Sequence, residues 1–449
     1  MGSMTSPLPP PYVSLNVEAH GHFSVVKWLT VAAYMLSMGV CGIVLVALGS
    51  TLEVLAHQVA RTTTSIGSVF IARGSGSIFG SIICSKLYRW FPGKSVLLIT
   101  LISIMVTLIL LPFTSTVCQL YFYFFVLGLG TSITDTGCQL MTRKLHRKSA
   151  GPWLGANATV FGLSAALVPI LEMSSSKLSI QYLILASIVA LSCCLVLCAS
   201  QLSRKDTEHQ PVNLSVFTSN EAIQKEVHSL VPHYYSEIAI SVMLFCFVGG
   251  SISATAYIES YIDQTGIISS HQKGNLVFVL WISITAGRIA GVQDQRSLSD
   301  SGLSNHLSFL CLGGFFAMSL IFILPQSHTA MWIGTALYGF FHGPTVGFCQ
   351  DLNNRLTLPT EKSMAIVMFG LNCGASFVPY LTTVLWDAQG VGPSILIIVI
   401  GLSMLIPLPL LYFVQCVSYI DDQDQPVTVT FSYESIDEGN PDSSSIECI

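Results

Sequence analysis

Residues 121–145 read YFYFFVLGLGTSITDTGCQLMTRKL, an apolar run that closes on a basic end and carries one carboxylate, Asp135, well inside that end. Asp135 lies about seven residues in, roughly 10 Å at 1.5 Å per helical residue. A charge at that depth in hydrocarbon costs several kcal/mol unless it meets a cavity or a partner, so Asp135 is the first candidate functional residue. Further along, residues 338–356 repeat the frame as YGFFHGPTVGFCQDLNNRL. At one constant offset Gly128, Cys138, Gln139, Lys144 and Leu145 meet Gly339, Cys349, Gln350, Arg355 and Leu356, whereas Asp135 meets Val346. One half of a duplicated chain therefore carries an acid that the other lacks.

The composition places that duplication in a membrane. Only 10% of the 449 residues are charged and 51% are hydrophobic, with a mean hydropathy of +0.66. A soluble chain of this length does not carry so little charge. Stretches long enough to cross a ~30 Å hydrocarbon core as helices fall near 25–52, 64–86, 95–113, 118–142, 153–172 and 181–200, then near 237–262, 274–292, 305–324, 329–349, 363–386 and 392–416. The expected fold is an all-α membrane protein of twelve transmembrane helices. Its expected parts are a cytoplasmic tail (1–24), an amino-terminal six-helix bundle (25–200), a polar cytoplasmic loop (201–236), a carboxy-terminal six-helix bundle (237–416) and an acidic, disordered tail (417–449). Of the 19 Lys and Arg, Arg61, Lys177 and Lys273 fall in loops on one side and Arg73 within the second span, while the others gather on the opposite side. That bias puts both termini in the cytoplasm. The 13 cysteines sit almost entirely in apolar runs and read as small apolar side chains rather than disulfides or metal ligands.

The repeat returns in the fifth and eleventh spans, where Phe161-Gly162-Leu163 with Val168-Pro169 is echoed by Phe369-Gly370-Leu371 with Val378-Pro379. Two halves of six spans in one orientation imply a pseudo-two-fold axis along the membrane normal, with a ligand site between them. Gly76 with Gly80, and Gly370 with Gly374, have the spacing that lets helices approach closely, and are assigned to packing and rocking.

Several motifs along this frame resemble the major facilitator superfamily, and within it the branch of fucose permeases and animal sodium-dependent glucose transporter-like proteins. They are Asp135-Thr136-Gly137-Cys138-Gln139; Phe247-Val248-Gly249-Gly250 with Tyr257-Ile258-Glu259-Ser260-Tyr261; Trp281 with Gly287-Arg288; and Trp332 through Leu337 with Gly339 and Pro344-Thr345. The chain departs from that pattern at Tyr257, where a Trp is usual, at Ser251, where many relatives carry Glu, and in lacking an acid between Lys27 and Glu53. The resemblance implies a secondary transporter of a hexose or related small polar solute, coupled to protons or sodium. It implies a multi-pass protein of the plasma membrane, or alternatively of an endosomal or lysosomal membrane.

In that setting a carboxyl in a mostly dry cavity can take up and release a proton, the chemistry of an ion-coupled carrier, and satisfaction by a neighbouring span is the structural alternative for Asp135. Arg73, near mid-membrane, is either its partner or a ligand for hydroxyl- or carboxylate-bearing solutes. Gln139, Asn157 and Asn372 are candidate hydroxyl ligands, and Tyr257, Trp281 and Tyr338 candidate stacking surfaces for a sugar ring. Glu259 and His342 are possible gates; an interfacial carboxylate and a packing histidine are the plainer alternatives. Asp135-Thr136-Gly137 also spells the aspartic-protease triplet, but that chemistry needs two carboxylates sharing a proton and no second copy exists. No phosphate loop, HExxH or GxSxG occurs, so no enzyme, cofactor, metal or nucleic-acid partner is expected. The alternatives are a carrier of an organic anion, amino acid or lipid-like molecule, and a non-transporting nutrient receptor or scaffold. Tyr433-Glu434-Ser435-Ile436 has the form of a signal for a sorting adaptor.

Overall fold

A backbone inside hydrocarbon has no water to bond, so each crossing must satisfy its own amides. The computed structural model meets that demand with helices throughout its described residues, which are 16–61, 66–146, 150–174, 177–207, 234–269, 272–295, 298–356, 361–388 and 392–423. The helices are α1 (Asn16–Ser50), α2 (Leu52–Gln58), α3 (Val69–Trp90), α4 (Gly93–Leu110), α5 (Val117–His146), α6 (Ala150–Ser174) and α7 (Leu178–Thr207) in the first half. In the second they are α8 (Tyr235–Thr265), α9 (Lys273–Gln295), α10 (Asp300–Ile323), α11 (His328–His342), α12 (Thr345–Leu356), α13 (Glu361–Trp386), α14 (Ser394–Leu405) and α15 (Pro407–Gln423).

Every stretch expected to span holds a helix, and ten are long and apolar enough to cross a membrane. The second stretch falls short because Gly, Ser and Arg73 dilute the apolar residues of α3. The tenth falls short because it is split: α11 is only 15 residues long and α12 only 12. Pro344, which has no N–H to donate and whose ring crowds the preceding turn, stands at the break beside Gly343. Pro407 divides α14 from α15 in the same manner, whereas Pro169 and Pro379 are absorbed within α6 and α13. Helix also runs past the apolar limits expected for it. α1 begins at Asn16, inside the segment read as a tail, and α7 continues to Thr207, inside the segment read as a loop. Hydropathy marks the part of a helix in lipid, not its solvated turns. The expectations for residues 1–15, for the loop at 208–233 and for the acidic tail with Tyr433 to Ile436 lie outside the described residues.

The halves are built alike. In the first, α3 packs on α5, α1 on α6 and α7, and α4 on α5 and α7; in the second, α9 packs on α11, α8 on α13 and α14, and α10 on α11 and α14. Between the halves α6 meets α9, α3 meets α13 and α1 meets α8. Apolar side chains such as Ile99, Phe122, Leu183 and Phe316 stand exposed on the outer faces, as lipid-facing surfaces require.

The glycine pairs serve packing inside each half. A Cβ at Gly76 would collide with the Phe125 carbonyl oxygen of α5 and one at Gly80 would lie 3.0 Å from that of Leu129; Gly370 and Gly374 stand likewise against the Ser241 and Phe245 carbonyls of α8. The α3–α5 and α8–α13 contacts are thus backbone on backbone. Gly76→Val must push α3 off α5, at a cost on the order of 1–3 kcal/mol, and a thermal unfolding midpoint in detergent well below that of the unaltered protein is the expected result.

Candidate functional site

Asp135 sits at mid-helix on α5, where the apolar run gives way to Thr134, Thr136 and Gln139, and it is half-buried. It lines a cavity of about 280 Å³ between the two halves, near the lower end of the ~300–1,000 Å³ range of small-molecule pockets. One turn on, Gln139 donates from Nε2 to Asp135 Oδ1 at 2.9 Å. The first half contributes Asp135, Gln139 and Arg143 from α5, Met38 and Leu45 from α1, and Phe161 from α6. The second contributes Ser251 from α8, Trp281 and Arg288 from α9, His342 from α11, and Val346 and Gln350 from α12. Val346, which matches Asp135 in the repeat, therefore faces the same cavity from the opposite wall.

The lining runs from mid-helix to the basic ends of α5 and α12, where Arg143 and Asp351 stand, and along α9 as far as Val292; Asp351 is held by Arg355 at 3.0 Å. At the other end the halves are drawn together. The Phe70 and Tyr257 rings meet edge to face at 6.0 Å and Lys273 of α9 reaches Glu53 of α2 at 3.7 Å, while within the second half Tyr257 OH and Thr383 Oγ1 lie 2.7 Å apart and Lys273 also holds Asp263 at 2.8 Å. The cavity lining reaches Arg143 and Asp351 at the basic end and includes none of the residues of this closure.

The structure brings Asp135, Gln139, Trp281 and His342 to this cavity. It places the other candidates elsewhere. Tyr257 is part of the closure just described, with Trp386 at 6.3 Å on its other side. Glu259 lies near that same closure, within electrostatic reach of Lys273, Asp263 and Glu53. Asn157 is buried and donates to Thr142 Oγ1 at 3.1 Å, pinning α6 to α5. Asn372 crosses between the halves, donating to Ser81 Oγ at 2.8 Å. Tyr338 is buried behind the cavity wall and stacks on His342 with centroids 5.3 Å apart. Arg73 is only 9% exposed, and its Nε has no hydrogen-bond partner among the described residues. It forms no ion pair with Asp135; the charge that acts on Asp135 is Arg288.

Arg288 is the residue that sequence reasoning misplaced, grouping it with the loop basics that set orientation. Its Nη1 donates to the Ala158 carbonyl of α6 at 2.9 Å, and its guanidinium lies 5.3 Å from the Phe161 ring centroid. The available signal was spacing: Arg288 follows Trp281 by seven residues, two turns of one helix face. On the same wall Trp281 Nε1 and His342 Nδ1 are buried without partners among the described residues, while the Tyr338 hydroxyl behind them lies beside Ser403. A buried polar group left unpaired costs about 1–3 kcal/mol, so a wall with both of these suits a ligand rich in oxygen acceptors, facing a wall that offers a carboxyl.

Residues 28–349 match the family model described as Major Facilitator Superfamily. Among curated proteins the chain is 22% identical to sodium-dependent glucose transporter 1 of Xenopus laevis, over 74% of this chain and 71% of the relative. It is 20% identical to sodium-dependent glucose transporter 1 of Homo sapiens, over 83% and 76%. Among solved structures it superposes on the D-xylose–proton symporter with a TM-score of 0.64 at 14% identity, covering 86% of this chain and 97% of that one. It also superposes on a point mutant of the nucleoside transporter NupG with a TM-score of 0.60 at 13% identity, covering 88% and 99%.

Asn157 and Tyr257 make buried hydrogen bonds away from the cavity. Asn157→Ala and Tyr257→Phe are each expected to cost about 0.5–1.5 kcal/mol of stability, read as a lowered thermal unfolding midpoint in detergent.

Proposed function

The chain belongs to the Major Facilitator Superfamily, and from that membership we propose that it is a secondary active transporter working by alternating access, with a hexose or related small polar solute as cargo and protons or sodium as coupling ion. Twelve helices cross the bilayer, with α11 and α12 together forming one crossing and α14 and α15 another. The two six-helix halves are related by a pseudo-two-fold axis along the membrane normal, which the matching helix pairings in each half support. They rock about a site near the midplane, so that the cavity opens first to one side and then to the other. Both termini are cytoplasmic, on the positive-inside argument, and this state is then open to the cytoplasm. Its other mouth is held shut by Phe70, Tyr257, Thr383 and the Glu53–Lys273 pair.

The observation that carries this reading is a carboxyl, Asp135, on the wall of a cavity between two duplicated halves, facing an arginine of the other half. Asp135 is the coupling acid. Gln139 orients it, and Trp281 and His342 bind cargo oxygens from the opposite wall. Arg73, Tyr257, Tyr338, Asn157, Asn372 and Glu259 act around that centre: Arg73 as an adjoining cation, the others in the packing and closure that rocking must remake. The names of the curated relatives and of the xylose symporter support a sugar as cargo.

The test is uptake of labelled glucose by the full chain in proteoliposomes, with and without an imposed proton or sodium gradient. Asp135→Asn is expected to lose gradient-driven accumulation at least about tenfold, a coupling of ordinary size between linked sites, while exchange of labelled for unlabelled sugar persists. Unchanged accumulation in that variant would remove Asp135 from the coupling role.

A further inference from the structure

α3 runs from the closed end toward the basic end, and Arg73 stands on it one turn inward of Phe70, whose ring meets Tyr257 of the other half. Residues three apart on a helix are surface neighbours, so Arg73 shares the face that α3 turns to the seam. Beside it on α5 lies Gly128, where a Cβ would collide with the Arg73 carbonyl oxygen. Gly128 precedes Asp135 by two turns, roughly 10 Å. On α1 the charge of Arg73 acts on Cys41, which sits between the cavity-lining Met38 and Leu45. Arg73 therefore occupies the stretch between the closure and the cavity.

Nothing in that stretch answers its charge. The side chain is nine-tenths buried, and among the described residues its guanidinium makes neither an ion pair nor a hydrogen bond. Cys41 turns its thiol instead to the Thr131 carbonyl at 3.6 Å. An arginine does not give up its proton in a protein, so the charge is permanent, and a lone charge in an apolar interior is strongly disfavoured. With Arg288 it makes two positive charges against one carboxyl, Asp135, between the closure and the mouth of the cavity among the described residues. The shortfall is one negative charge. We propose that Arg73 binds an anionic group of the cargo, so that the solute is a hydroxylated monoanion, a sugar acid such as a hexuronate, rather than a neutral hexose. This rests on the transport reading above and narrows its cargo class. The planar guanidinium fork takes a carboxylate in two parallel hydrogen bonds. When the closed end opens, Phe70 and Tyr257 part, and Arg73 meets the solute one turn below them. The hydroxyls of a sugar acid held there by its carboxylate extend toward the cavity.

The test compares glucuronate with glucose, which differ by a carboxylate in place of a hydroxymethyl group. Labelled glucuronate is expected to enter proteoliposomes carrying the full chain at least about tenfold faster than labelled glucose, the margin of one charge-assisted contact. Arg73→Gln should lose that preference, and Arg73→Lys, which keeps the charge, should retain part of it. Thermal unfolding in detergent separates this from a structural role. Glucuronate should raise the midpoint of the unaltered protein and not that of Arg73→Gln. Without ligand, Arg73→Gln is relieved of a lone buried charge and should unfold no lower than the unaltered protein. Equal entry of the two solutes overturns the proposal. So does a glucuronate response that survives Arg73→Gln, a lowered midpoint of that variant without ligand, or a midpoint raised by chloride in place of glucuronate. Movement of glucose without glucuronate sinks this proposal alone, whereas movement of neither sinks the transport reading with it.

Discussion

An ionised group in hydrocarbon must have either water or a partner, and that constraint organises this molecule. Asp135 lies deep in an apolar helix, and the fold accommodates it by leaving a cavity at the seam between two halves and placing Arg288 on the far wall. Inside each half, glycine lets backbones touch, as at Gly76 against Phe125 and Gly374 against Phe245. Across the seam glycine again allows close approach, as at Gly74 against Ser376 and Gly49 against Ala256, beside ring edges, a hydrogen bond from Asn372 to Ser81 and an ion pair between Lys273 and Glu53. The hydrogen bond and the ion pair among them are individually worth about 1 kcal/mol or less.

The charged network at the closed end has a similar character. Lys273 lies between Asp263 and Glu53, with Glu259 in electrostatic range. Screened pairs of this sort hold orientation more than they hold energy. The aromatic group beneath them, Phe70 with Tyr257 and Trp386, excludes water without demanding fixed partners.

Much of this architecture is written in the chain, because hydropathy and repetition act over long stretches. Each expected span holds a helix, and the repeat that pairs Gln139 with Gln350 and Asp135 with Val346 brings all four to one cavity. What local pattern does not carry is the direction of a side chain relative to helices far away in sequence. Arg73 and Arg288 are both arginines of apolar helices, yet the first is buried outside the cavity lining and the second reaches the cavity. Asn157 and Asn372, both read as hydroxyl ligands, point instead at Thr142 and Ser81. The break between α11 and α12 was legible in Gly343-Pro344, but a proline is absorbed without a break at Pro169 and Pro379, so the residue alone does not decide the outcome.

The unequal repeat has one more consequence. A doubled chain with identical inner faces, related by a rotation, would offer two equivalent poses and no preference between them. Here valine answers aspartate across the gap, and the unpartnered donors stand on the valine's side. The two walls of the gap therefore differ in charge, and the two end-for-end poses of any asymmetric molecule placed between them are not equivalent.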